Sequence, residues 1–178
     1  QAKTLFPYTT LFRSGAITLG GGTNILTGYA RGEATRDLDS EPTYNLYIAG
    51  VHLRSGTTLT SSGGDITLRG QNSGGSPSAM AFGVFGNGSV VNSGTGKISI
   101  TGIATGTANI NAQGVSSYNG WTLRSANTTA DAIYVSGDAS GVTGGSASLG
   151  AGADGAGEDC TPAAASAAVC AISLSSGR

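Results

Sequence analysis

Arg36, Asp37, Asp39 and Glu41 crowd into one short stretch of a chain that is otherwise sparing with charge. Convergent acids are what glycan cleavage requires. A glycoside hydrolase flanks the scissile bond with two carboxylates. A calcium-assisted lyase needs several acidic oxygens and a basic group. Here all four side chains belong to one segment, and no second acidic group is placed to face them. They read as part of a solvated loop spanning Arg31 to Pro42. His52 is the only histidine. It alternates with Leu53 and faces water or an edge, and without a second histidine it builds neither a metal site nor a Ser-His-Asp arrangement. Cys160 and Cys170 bracket a Pro/Ala/Ser segment and read as a local disulfide of an oxidising compartment, two free thiols being the alternative. Such a closure contributes ~2–3 kcal/mol in the chain-entropy view. Gly150–Gly155 spells a dinucleotide fingerprint, but it lies in a Gly/Ala run without the flanking strand and helix. Asp154, Glu158 and Asp159 form one irregular copy of a calcium-binding Gly/Asp pattern. The sequence therefore assigns no catalytic, cofactor-binding or metal-ligating residue, implies no cofactor, and predicts a protein that is not an enzyme.

The elements that would have to carry any site must be short. Glycine supplies 31 of the 178 residues, well above the ordinary ~7%. Charged residues make up 11%, aromatics 6%, and the net charge is −1. A nucleic-acid partner calls for a basic chain. A coiled coil calls for heptads, and collagen for glycine at every third position. No apolar run approaches the ~20 residues of a membrane-spanning helix. A β-solenoid and a disordered tract both suit this composition, and periodicity decides between them.

Five segments share an alternation with period two, which gives a strand one buried face. Their inward pairs are Ile17/Leu19, Ile66/Leu68, Ile98/Ile100, Ile133/Val135 and Ile172/Leu174. A second element aligns Val51, Val84 and Val115, each behind a glycine. A third aligns Thr57–Thr60, Ser89–Asn92 and Trp121–Arg124. Turns follow at Ser62–Asp65, Ser93–Gly96 and Asn127–Ala130. One unit of strand, turn, strand, turn, strand cannot bury its own apolar face, but stacked units can. The predicted fold is all-β, a right-handed parallel β-helix fragment with irregular loops. Its coils are expected over residues 15–140, a Gly/Ala-rich loop region over 141–170 that is loosely ordered over 141–157, and a further coil from 171. Thr67, Arg69, Ser99, Thr101, Tyr134 and Ser136 are expected on its exposed face.

Residues 4–14, TLFPYTTLFRS, resemble a translated short-read sequencing adapter, so residues 1–14 are expected to be an artefact ahead of a fragment starting near Gly15. Without Lys3 and Arg13, seven basic residues remain against ten acidic ones. The run Gly50–Gly70 resembles the repeats of filamentous haemagglutinin-type exoproteins, and Gly83–Gly102 resembles them too. The stretch from Gly114 is a more divergent copy. The resemblance covers about residues 44–137. It implies two-partner secretion from a Gram-negative bacterium through an outer-membrane transporter. It also implies a β-helical shaft at the cell surface, and adhesion to host-cell or environmental glycans or receptors. No nucleic acid and no membrane span are implied. The Asn-Pro-Asn motif of the family's secretion domain is absent, which makes the segment shaft. An autotransporter passenger and a β-helix polysaccharide lyase or hydrolase are the alternatives.

Overall fold

The computed structural model describes residues 15–32, 34–36, 46–72, 79–107, 112–143, 147–151 and 168–171. Among them no helix occurs. The strands are β1 (Ile17–Leu19), β2 (Ala30–Gly32), β3 (Ala34–Arg36), β4 (Leu46–Leu53), β5 (Thr58–Thr60), β6 (Ile66–Asn72) and β7 (Ala79–Asn87). They continue with β8 (Val90–Asn92), β9 (Ile98–Thr107), β10 (Ala112–Tyr118), β11 (Thr122–Ser125), β12 (Ile133–Thr143), β13 (Ala147–Ala151) and β14 (Ala168–Ala171).

The strands form three sheets. The first runs β1-β6-β9-β12, with β2 also on β6. The second runs β3-β4-β7-β10-β13, and the third β5-β8-β11-β14. Pairing is parallel except for β3 on β4 and β14 on β11. From β4 onward the chain visits the second, third and first sheets in fixed rotation. Equivalent side chains therefore stack. Ile17, Ile66, Ile98 and Ile133 are successive register partners. So are Leu59, Val91 and Leu123 in the third sheet, and Val51, Val84 and Val115 in the second.

These columns meet in one apolar core. Ile66, Leu68, Ile98, Ile100, Val84, Val91 and Leu123 are fully buried. Ile17, Leu19, Ile133 and Val135, at the two ends of the same ladder, are half-buried and pack against it. Trp121 lies in this core against Gly86, where any added Cβ would run into the indole ring. Ile172 and Leu174 lie outside the described residues.

A second, smaller core holds Ala81, Ala104, Ala112 and Ala139. Between the two cores, glycines of the first and second sheets meet backbone to backbone. A Cβ on Gly70 would strike Gly83, one on Gly102 would strike Gly114, and one on Gly114 would lie 2.5 Å from Gly137 Cα. This waist needs glycine for close approach, not for an unusual φ.

Two corners show how each circuit turns. Gly56, Gly88 and Gly120 hold φ of 80°, 52° and 74° between the second and third sheets, which L-residues with a side chain rarely adopt. Between the third and first sheets stand Ser61, Ser93 and Ser125, all fully buried. The Ser93 hydroxyl reaches Gly96 O at 2.6 Å, Ser125 reaches the same oxygen at 2.7 Å, and Ser61 reaches Ser93 O at 3.2 Å. The stacked serine of the first corner is thus Ser61, one residue before the Ser62 that simple alignment pairs with Ser93.

Two stretches expected to be loops contain strands. Within Arg31–Pro42, Arg31 and Gly32 continue β2 on β6, and Ala34–Arg36 form β3. Within the Gly/Ala-rich region, β12 runs on to Thr143, and Ala147–Ala151 pair with β10. In both places backbone pairing to an existing sheet edge supplies what the side chains do not announce.

Asn72 shows the same economy. Past the last backbone pair of β6 with β9, Gln71 with Ile103, the buried Asn72 amide continues the ladder. Its Nδ2 donates to Thr105 O at 2.7 Å, and its Oδ1 accepts from Thr105 N at 2.7 Å. Asn72→Leu is expected to lower stability by about 1–3 kcal/mol, because it strips a donor and an acceptor of their partners. A urea titration checks this: the midpoint falls while the slope is unchanged.

Candidate functional site

The parallel register that builds the core also writes columns of side chains on the outside. On the first sheet one column reads Thr18, Thr67, Ser99, Tyr134. The next reads Arg69, Thr101, Ser136, and a third Arg31, Gln71, Ile103, Asp138. Strand spacing sets neighbours in a column ~4.8 Å apart. The result is a strip of hydroxyls that ends on Tyr134 and is bordered by the charges of Arg69, Arg31 and Asp138.

Exposure along this strip differs from the sequence expectation. Tyr134 is exposed, but Thr67, Arg69, Ser99, Thr101 and Ser136 are half-buried. Parallel stacking sets Thr67, Ser99 and Thr101 against neighbours above and below, which covers part of each. Arg69 is further covered by Tyr29, whose ring centroid lies 6.0 Å from the guanidinium carbon, at the outer range of a cation–π contact. Asp138 is fully exposed. Hydrogen bonds from the Ser140 hydroxyl and from its backbone N–H hold the carboxyl below the ordinary carboxylate range, so it stays charged at mildly acidic pH.

Asp65 and Lys97 are engaged in holding circuits together. Asp65 Oδ1 accepts from Lys97 N at 2.8 Å, and Lys97 Nζ donates to Ala130 O at 3.2 Å. Between β1 and β2 the chain makes an excursion folded on Asn24, whose side chain accepts from Leu26 N at 2.9 Å. That excursion presents Ile25 and Leu26 to solvent, 53% and 65% exposed.

The residues that could have done chemistry are not brought together. Arg36 closes β3, while Asp37, Asp39 and Glu41 lie outside the described residues. His52 projects from the second sheet onto Phe85, ring centroids 4.9 Å apart, and Phe85 stacks on Phe82 at 4.6 Å. Phe82 and Phe85 are buried, so His52 belongs to an aromatic cluster rather than to an edge or a site. Cys160 lies outside the described residues. Cys170 is in β14, whose backbone pairs antiparallel with β11 opposite Leu123. Among the described residues no three His, Cys, Asp or Glu side chains gather as metal ligands.

Sequence reasoning missed the Asn72 clasp, the Ser61–Ser93–Ser125 column and the Tyr29–Arg69 contact. The serine column carried a usable signal, the same 32-residue interval that separates Ile66 from Ile98. Comparison of the chain with protein-family models, curated proteins and solved structures returns no match.

Proposed function

We propose that the chain is a shaft segment of a large secreted bacterial adhesin of filamentous haemagglutinin type, wound as a right-handed parallel β-helix. Its role is structural and adhesive, not catalytic. The observation that carries this reading is the rotation through three sheets with equivalent strands paired in parallel, which turns a short repeat into columns of polar side chains. Thr18, Thr67, Ser99 and Tyr134 in one column, with Thr101 and Ser136 in the next, offer a ligand weak, evenly spaced hydroxyl contacts. Weak contacts repeated along a filament give strong attachment through effective concentration. The partners are surface glycans or receptors, met outside a Gram-negative cell after passage through an outer-membrane transporter.

Reading the intact source locus tests this. A signal peptide and an Asn-Pro-Asn secretion domain upstream, beside a transporter gene, are expected. A C-terminal membrane barrel would move the chain to the autotransporter passengers. Turnover of an acidic polysaccharide that disappears in Asp37→Asn or Asp39→Asn would overturn the non-catalytic reading.

A further inference from the structure

The chain holds two Asn-Gly pairs, Asn87-Gly88 and Asn119-Gly120. They occupy the same corner of successive circuits, one stacked on the other. Asn119 Nδ2 donates to Asn87 Oδ1 at 3.0 Å. Asn-Gly is the dipeptide most prone to self-cyclisation, because glycine puts no side chain in the way of its own backbone nitrogen. The two pairs are alike in chemistry and differ in what surrounds them.

Asn87 is 5% exposed, and the nitrogen that would attack it is occupied: Gly88 N donates to Tyr118 O at 2.9 Å. Asn119 is exposed, its φ is 52°, and it lies just beyond β10. Among the described residues no acceptor is found for Gly120 N, and a Cβ on Gly120 would meet nothing within 4 Å. The inner pair is clamped by the circuit above it, and among the described residues nothing clamps the outer pair in this way.

We infer that Asn119 is a site of spontaneous deamidation, and that the stacked corner protects Asn87 from the same reaction. Gly120 N attacks Asn119 Cγ. The new N–Cγ bond forms as the Cγ–Nδ2 bond breaks, and the amide nitrogen leaves as ammonia with the backbone proton. Water then opens the cyclic imide at either carbonyl, leaving aspartate or isoaspartate. The product loses the donor to Asn87 Oδ1, and isoaspartate adds a methylene to the backbone at the turn. The corner is thereby loosened at its exposed end.

Tryptic digestion separates the two sites, since Asn87 falls in the peptide Gly70–Lys97 and Asn119 in Ile98–Arg124. The folded chain is held in mildly alkaline buffer, digested at intervals and analysed by fragment mass spectrometry. Deamidation at Asn119 is expected about tenfold or more faster than at Asn87, a ratio that corresponds to ~1.4 kcal/mol for opening the clamped corner. In concentrated urea the two rates are expected to converge. Equal rates in the folded chain would overturn the inference. So would a faster Asn87, or a mass gain in Ile98–Arg124 that maps to Asn109 or Asn111.

Discussion

Gly102→Ala is expected to yield a chain that does not fold. A Cβ at this position would fall on the Gly114 carbonyl oxygen, 2.5 Å from the carbonyl carbon and 2.9 Å from Val115 Cγ2. The obstacle is backbone, and no rotamer change relieves it. Overpacking against side chains costs ~1–3 kcal/mol. Here the first and second sheets must separate along the waist, which drives the cost past the ~4–5 kcal/mol that is exceptional for a single substitution. That is comparable to the whole stability of many domains, ~5–15 kcal/mol. Circular dichroism should show loss of the β signal and of any cooperative melting transition. Gly15→Ala is the control, because nothing lies within 4 Å of its added Cβ. It should stay within about 0.5 kcal/mol of the parent. A folded Gly102→Ala chain of unchanged stability would mean that the sheets do not touch at the waist.

Truncating the isoleucine ladder should give the second large effect, graded by position. Ile98 is fully buried between Ile66 and Ile133. Ile98→Ala removes apolar contacts on both sides and leaves a cavity that the flanking strands cannot close, at a cost of ~2–5 kcal/mol. Ile17 stands in the terminal strand of the first sheet and is half-buried. Ile17→Ala should cost about half as much or less, since the lost transfer energy scales with buried area. Urea unfolding read through the single tryptophan, buried as Trp121 in the same core, compares the two. Equal losses at both positions would contradict a ladder that is fully packed at Ile98 and half-buried at Ile17.

Much of this architecture was legible in the residues. Period-two alternation marks Ile66/Leu68 and Ile98/Ile100 because each strand hides one face. The Val51–Val84–Val115 alignment could be read because an identical local job recurs at nearly constant spacing. What could not be read depends on contacts between circuits. Nothing local distinguishes Ser61 from Ser62; only the serine above decides which one turns inward. Ala34–Arg36 and Ala147–Ala151 carry no strand pattern of their own and pair because an edge was offered to them. Gly70, Gly83, Gly102 and Gly114 look like turn glycines, yet they sit inside strands, where two backbones approach. Of the candidate chemistry, His52 alternates with Leu53 as a strand pattern dictates, but the face it meets is Phe85, one circuit away, and not water or an edge.

The matched pairing of β6 with β9 also makes the molecule divisible. Asp65 precedes Ile66 as Lys97 precedes Ile98, and Ile66 and Ile98 occupy one column. Removing the residues from Ile66 to Lys97 would join Asp65 to Ile98 and leave every surviving column intact but one storey shorter. Height is therefore quantised in steps of one strand spacing, ~4.8 Å. Recombination between neighbouring copies of such a repeat changes the height of the stack while Ile17 meets Ile98, Val51 meets Val115 and Leu59 meets Leu123, apolar partners like those they lose; Thr105 gives up its clasp from Asn72, and His52 its contact with Phe85. Length is thus a variable this architecture can tune independently of its cross-section.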